Sequence, residues 1–452
     1  MYGATGGAKN SFLYPIAFFI TIMYNGHIKT CVVDKMEVFI MPIITIAEAA
    51  ELCGKSQKTI RRAVAAGKLK STKIQNKTRI EKADFEEWVA NGCCGTEEQD
   101  NNVKRNDDVN WLDISADWTK DGWTNKKDRA KYNFIDLFSG AGGLSCGMVM
   151  AGFNPIASVE IMPQAVQTYK YNFIEQKGFD ENVETRDIRD AEVKQKLYDS
   201  VKGKKVDVIV GGFPCQGFSM AGYRVVDDPR NSLYKEMKEI VEYLQPEVVV
   251  MENVEGLRSM LNGKVEEMII EDYKKIGYDI NLTVLNSANY GVPQFRKRVI
   301  FVGNRVGKTN YHPKPMYDDS NYITLGQAIA PYMTMPENPE INHVFSKHTP
   351  EMIERLAAIP EGKSLYKNYS DAWKKSPWDK PSCTIKENHG GTNVHPRQPR
   401  CLTARELATL QSFPADFIFK GSKKWQLVQI GNAVPPLLGK AIGLCVKHML
   451  DE

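Results

Sequence analysis

Three short segments of this chain carry a nucleophile, an acid and a cation. Gly211-Gly-Phe-Pro-Cys215-Gln-Gly-Phe-Ser219 places a thiol just after an apolar run. Pro214 fixes the backbone before it, and Gly217 and Gly222 loosen the chain after it. A thiolate at that position is a nucleophile, whereas a lone Cys in a globular protein is most often a small buried hydrophobe. Met251-Glu252-Asn253-Val254 ends a second apolar run, and a carboxyl there can protonate or hold a ring nitrogen. Gln294-Phe-Arg296-Lys-Arg298 enters a third run. Residues two apart in a strand point the same way, so Arg296 and Arg298 share a face; a solvated basic strand end is the plain alternative. Together the residue types suit nucleophilic catalysis in which charge developing on the substrate meets an acid and a guanidinium.

A ligand loop lies upstream. Phe138-Ser-Gly-Ala-Gly-Gly143 follows the apolar run 134–138 and precedes a helical stretch. Its glycines, Gly140 and Gly142 among them, allow a tight turn and close approach of a ligand, and the helix start offers free N–H groups to an anionic group. Glu160 follows Gly140 by twenty positions at the end of the next run, where a carboxylate suits the hydroxyls of a ribose. Asp187-Ile188 sits where a third strand should end, suited to an adenine edge. The ordered Gly, Glu and Asp predict an adenosine-containing cofactor without separating NAD from S-adenosylmethionine.

The elements that must hold these residues are legible from periodicity. Strand-like runs at 134–138, 155–159, 206–210 and 247–251 alternate with helical stretches at 144–151, 162–172 and 232–244. A late pair of strands is expected at 279–285 and 298–303. Such alternation predicts an α/β fold with a mostly parallel, Rossmann-like sheet. Residues 305–400 break the rhythm with many Pro, Asn, Tyr and His. We divide the chain into an apolar extension (1–40), a compact basic module (41–92), a polar linker in which a helix can dock its tryptophans (93–130), a catalytic α/β domain (131–304), an irregular region (305–400) and a C-terminal segment completing the catalytic domain (401–452). The apolar run Phe12–Tyr24 is too short to span a bilayer, and translation from Met36 or Met41 would leave it outside the protein. The net charge of +4 neither demands nor excludes nucleic acid. The nine cysteines include no zinc-type spacing, so neither a metal nor a disulfide framework is expected, and the compartment reads as reducing and cytoplasmic.

The blocks Asp136-Leu-Phe-Ser-Gly-Ala-Gly-Gly143, Gly212-Phe-Pro-Cys-Gln-Gly-Phe-Ser219, Glu252-Asn-Val254, Gln294-Phe-Arg-Lys-Arg298, Leu402-Thr-Ala-Arg-Glu406 with Leu410-Gln-Ser-Phe-Pro414, and Gln429-Ile-Gly-Asn-Ala-Val-Pro-Pro436 occur in that order. Over about residues 132–450 the chain resembles the cytosine-5 DNA methyltransferases. The resemblance implies methyl transfer from S-adenosylmethionine to carbon 5 of a cytosine in double-stranded DNA. Carbon 5 is a poor nucleophile, and addition of a thiolate at C6 makes the ring enamine-like. The family pattern implies Cys215 as that thiolate, Glu252 at N3 and the amino group, Arg298 at O2 and Arg296 in support. It implies cofactor contacts from Phe138, Gly140, Gly142, Glu160, Asp187, Ile188, Pro214, Asn432 and Val434. Thr384-Ile385 resembles a Thr-aliphatic pair at the DNA-facing edge. The base would leave the helix to reach the thiol, with the loop after Cys215 closing over it and bringing Arg224 and Arg230 to phosphates. Lys386, Asn388, His389, Thr392 and Asn393 have side chains suited to base edges.

The module at 41–92 reads as two short helices, a small wing and a closing helix. Residues 55–82 hold ten Lys or Arg and one acid, with Arg61 and Arg62 on the second helix, a balance that suits phosphates. It resembles the winged helix-turn-helix domains of excisionases. A monomer bound to DNA is expected, with a restriction endonuclease as a separately acting partner. Two rivals stand beside this reading, a tRNA cytosine-5 methyltransferase and a DNA-binding regulator with a silent catalytic fold. Exchanging 305–400 for the matching region of a relative should move methylation to that relative's sequence. Bisulfite sequencing of an active chimera that keeps the original site would place specificity elsewhere.

Overall fold

Strands buried on both faces read as continuous apolar runs, and here those runs form the centre of one sheet. The computed structural model describes residues 19–24, 27–32, 43–53, 57–65, 69–74, 77–90, 109–118, 122–124, 131–214, 233–366, 373–387 and 393–452. They belong to two compact units, 1–104 and 105–452.

In the second unit, β1 (Asn133–Leu137), β2 (Asn154–Val159), β3 (Asn182–Glu184), β4 (Val208–Gly211), β5 (Val248–Val254), β6 (Asp279–Asn286) and β7 (Lys297–Asn304) form one sheet in the order β6-β7-β5-β4-β1-β2-β3. Pairings from β5 through β3 are parallel; β7 runs antiparallel to β5 and β6. Neighbouring strand residues feed opposite cores, as a two-residue period requires. Phe134, Val210 and Val250 join one core, Ile135, Ile209 and Val249 the other. The helices α1 (Gly143–Met150) and α2 (Pro163–Lys170) cover the first face, and α3 (Ala191–Ser200), α4 (Leu233–Leu244) and α5 (Lys264–Lys275) cover the second. The expected α/β alternation is therefore found. One helix departs from expectation: 162–172 is α-helical to Lys170 and then continues as a π-helical turn, Tyr171–Gln176. Asn172 sits at its start, its amide donating to Thr168 O and to the distant Ile418 O.

The C-terminal segment supplies α6 (Ala404–Leu410), α7 (Lys423–Asn432) and α8 (Pro436–Asp451). α8 lies against α1 with no room for side chains at the crossing. A Cβ on Gly147 would stand 2.5 Å from Gly439 Cα, and one on Gly143 would stand 2.2 Å from Val434 O. Residues 305–400 hold only short elements. Leu325, Ile329 and Ile385 reach the main core, while Leu356, Ile359 and Val394 form a small core of their own.

The polar stretch 93–130 is not loose throughout. Asn110–Leu112 pairs in parallel with Tyr311–Pro313, and Gly122 packs so closely that a Cβ would overlap Met150 O. Trp123 is buried, edge-on to Phe173, with its indole N–H on Asp416 at 3.1 Å. Tryptophans supply a large apolar area that weak periodicity conceals.

In the first unit, Phe19–Tyr24 and His27–Val32 form an antiparallel hairpin within the apolar extension. The basic module contains helices Ile46–Leu52, Gln57–Ala65 and Lys82–Ala90 and an antiparallel sheet of Ile43–Thr45, Lys77–Glu81 and Thr72–Ile74. Thr45 and Glu48 form a capping box that starts the first helix. Ile44, Ala49, Ile60, Leu69, Ile80 and Phe85 make its core. The expected turn 54–56 and Gly67 lie outside the described residues. Among the described residues no helix is long and apolar enough to cross a membrane.

Replacing Trp123 with Ala should destabilise the second unit by about 3–5 kcal/mol, the usual loss for a buried aromatic. Urea unfolding checks this; a loss below about 1 kcal/mol would mean that the stretch only rests on the surface.

Candidate active site

In an open α/β sheet, ligands gather at the carboxyl ends of the strands where the strand order reverses. Here the reversal lies between β1 and β4, and a cavity of about 760 Å³ opens there. Its wall takes residues from the ends of β1, β2, β4 and β5, from the loop after β3, from the start of β7, and from the distant segments 384–387 and 429–434.

The turn after β1 is backbone-strained. Phe138 has φ 62°, and Gly140 and Gly142 have φ 55° and 92°. A positive φ costs a non-glycine residue free energy and is held only where surroundings enforce it. Glu160 is part of that enforcement: Oε2 accepts the Gly140 N–H and Oε1 the Met162 N–H, each at 2.8 Å. Burial raises its pKa, opposed by these N–H groups. Asp187 is held by Arg189, which lowers its pKa, and Ile188 is buried beside it. Phe138, Gly140, Glu160, Asp187, Ile188, Pro214, Asn432 and Val434 all line the cavity. Gly142 does not; it lies beneath the turn, where a Cβ would strike Phe173 and Tyr169.

The catalytic candidates meet on the other side. Glu252 Oε1 and Arg298 Nε are paired at 2.7 Å, both nearly buried. Gly212 lies against Glu252, with room for a Cβ only 3.1 Å from Oε2. Asn253 donates to Phe213 O at 2.9 Å, tying β5 to the loop that enters Cys215. Cys215, Arg224, Arg230, Asn388, His389 and Thr392 lie outside the described residues; Pro214, next to Cys215, lines the cavity.

Arg296 also lines the cavity but is used differently from Arg298. It is 2% exposed, donating to Ile385 O at 2.8 Å and Gly431 O at 3.1 Å. Burial, then repulsion from Arg298, lowers its pKa, with Glu252 opposing. Thr384 donates from Oγ1 to Phe295 O at 2.7 Å, and Thr384 and Lys386 face the cavity. Asn393, a candidate for reading base edges, is instead buried with its amide on Cys383 Sγ, because it is held in a short strand paired with Lys374–Lys375. In the first unit Arg61 is exposed with Nη2 on Gln57; the Arg62 side chain is not among the described ones.

Sequence reasoning passed over a row of polar groups under the turn. Asp136 accepts from Ser145, and Tyr169 stands between Ser145 and Glu181. Burial pushes Asp136 to about 7 and Glu181 to about 8. The available signal was an acid inside an otherwise apolar central strand.

Residues 132–448 match the model of the C-5 cytosine-specific DNA methylase family, and residues 43–93 match a helix-turn-helix domain. The Type II methyltransferase M1.HphI of Haemophilus parahaemolyticus is 41% identical over 70% of this chain and 87% of its own length. The Type II methyltransferase M.DdeI of Desulfomicrobium norvegicum is 34% identical over 69% and 87%. Among solved structures, a prophage-encoded Escherichia coli protein provisionally named a DNA modification methyltransferase superposes with a TM-score of 0.58 at 25% identity, covering 71% of this chain and all of its own. The Entamoeba histolytica methyltransferase EhMeth superposes at 0.53 with 19% identity, over 72% of this chain and all of its own, a likeness of fold.

The buried acids make stability depend on pH. Their folded pKa values lie above the ordinary 3.8 and 4.5, so the folded state binds more protons than the unfolded one across that gap. Stability from this pair is present at low pH and declines as pH rises from about 4 to about 8. Urea unfolding of Glu181→Gln should show a weaker decline over that window than the parent chain; equal slopes would refute the assignment.

Proposed function

The chain belongs to the C-5 cytosine-specific DNA methylase family, and from that premise we propose that its cavity brings a flipped cytosine against S-adenosylmethionine with Cys215 as the nucleophile. The observation that carries this reading is the Glu252–Arg298 pair facing the Glu160 and Asp187 side of one cavity, at the point where the chain enters Cys215.

The residues fit the cofactor. Glu160 and Asp187 present carboxylates at strand ends, suited to ribose hydroxyls and an adenine amine, and Phe138, Ile188 and Val434 supply apolar walls. When bound, the cofactor supplies an electrophilic methyl on a sulfonium. The chain's own residues do the rest. The Cys215 thiolate adds to C6, and the Glu252 carboxyl delivers a proton to N3 while its other oxygen accepts from the amino group. Arg298 meets the charge on O2 and holds the Glu252 carboxylate in the base plane. Arg296, bound to two backbone carbonyls, positions both. Once C5 is substituted, its proton passes to solvent, the thiolate departs from C6, and N3 returns its proton to the Glu252 carboxylate, restoring the neutral ring.

DNA would be held by Thr384, Lys386 and Asn388 at the cavity mouth, by Arg224 and Arg230, and by Arg61 and Arg62 of the helix-turn-helix, with residues 305–400 choosing the sequence. The basic module would raise local DNA concentration for the catalytic unit. The name Type II methyltransferase carried by the relatives favours a restriction endonuclease as separate partner. A monomer is our reading of the acting form.

Cys215→Ala should abolish methyl transfer, a loss of several orders of magnitude, while DNA binding persists. The parent chain should become covalently trapped on DNA carrying 5-fluorocytosine at the target, because fluorine cannot leave as a proton. A gel showing no trapped species, or normal turnover by the alanine variant, would reject the mechanism.

A further inference from the structure

Glu181, Tyr169, Ser145 and Asp136 stand in a row beneath the turn that follows β1. Tyr169 Oη lies 2.8 Å from Glu181 Oε1 and 2.9 Å from Ser145 Oγ, and Ser145 Oγ lies 2.5 Å from Asp136 Oδ2. All four side chains are buried. Only Asp136 also lines the cavity, so the row has one end at the cavity wall and the other at Glu181, buried just before β3. Tyr169 is stacked on Phe173, and both rings lie directly under Gly142.

Counting hydrogens decides the charge. The three contacts need three hydrogens, and the two hydroxyls bring one each, so the third belongs to a carboxyl. With both carboxyls ionised, the hydroxyls donate outward and face each other at 2.9 Å through lone pairs, with two charges buried. With both protonated, four hydrogens compete for three contacts. One proton and one negative charge satisfy every contact. That proton has two seats. On Glu181, the bonds run from Glu181 through Tyr169 and Ser145, and the charge rests on Asp136. On Asp136 they run the other way, and the charge rests on Glu181. Outside the three contacts, Glu160 at the end of β2 repels a charge on Asp136, the Ser145 backbone N–H favours one there, and Ser158 favours one on Glu181.

We infer that this row is a one-proton relay that shifts a negative charge between Glu181 and Asp136, and so favours the cationic methyl donor over its uncharged-sulfur product. A sulfonium in the cavity draws the charge to Asp136 and the proton to Glu181. Once the methyl has left, the sulfur is neutral, Glu160 repels the charge back to Glu181, and the product loses its hold. These are positioning residues, and the inference rests on the cavity being the S-adenosylmethionine site.

Two isosteric amides separate the seats. Both donate, so Asp136→Asn parks the charge on Glu181 and Glu181→Gln parks it on Asp136. Calorimetry on the full chain would measure S-adenosylmethionine and S-adenosylhomocysteine separately. Asp136→Asn should lower the affinity ratio of donor to product by about tenfold, while Glu181→Gln should keep or raise it. An equal loss for both ligands, or the same change of ratio in both variants, would overturn the relay. A parent chain that binds neither ligand would instead sink the reading of the cavity. If Asp136→Asn fails to fold, pH carries the test. Between pH 7 and 9 the ratio should rise in the parent chain as the shared proton leaves. Measured against Glu181→Gln, where the ligand amino groups titrate alike, a parent profile of the same shape overturns the proposal.

Discussion

Buried polar groups that must find partners tie this catalytic unit together. At the entry to β7, Gln294 and Arg296 are almost fully buried, and each reaches chain more than eighty residues away. Arg296 donates to Ile385 O and Gly431 O. Gln294 accepts the Ile385 N–H and donates to Gln411, whose own amide donates to Ile430 O at 2.6 Å. A guanidinium left without acceptors in that interior would cost several kcal/mol, so the segments at 385, 411 and 430 must arrive together. Gly431 permits the approach: a Cβ there would stand 2.5 Å from Glu387 N. The neighbours of these tie points, Thr384, Lys386, Asn432 and Val434, are cavity wall. The knot that satisfies buried donors is also what closes the site.

Within the cavity, charges of opposite sign are set against each other and held in advance. Arg298 fixes Glu252, Arg189 fixes Asp187, and two backbone N–H groups fix Glu160. Fixed dipoles and ions need not reorganise when charge moves during reaction. The strained φ of Phe138 is maintained by the same Glu160 contacts to the turn and by the glycine crossing of α1 and α8 below it.

The helix-turn-helix module obeys different physics. Its core of eight buried residues is small, and its regular elements are short and locally capped. Its recognisable pattern comes from neighbours in sequence: Thr45 with Glu48, alternating strand positions, and a helix with charged residues on its exposed face.

What the sequence determined by itself was local or motif-borne. The two-residue and 3.6-residue periods marked the strands and most helices, the glycine turn marked a ligand loop, and Cys215, Glu252 and Arg298 in one family's block order pointed to the chemistry. Tertiary structure decided what depends on distant chain. Nothing near Arg296 in sequence says that its partners are the carbonyls of Ile385 and Gly431, so it looked like the twin of Arg298. That tryptophans in 93–130 could dock was legible, but nothing in that stretch says that Trp123 will pack on Phe173. The amide of Asn172 found Ile418 O only after folding, beside the π-helical turn. Asp136, Ser145, Tyr169 and Glu181 lie on separate strands, helices and loops, and became a chain of hydrogen bonds only when burial removed water as the alternative partner. Periodicity records which face of an element is buried; which groups meet there is settled by long-range packing and by the cost of leaving a buried polar atom unpaired.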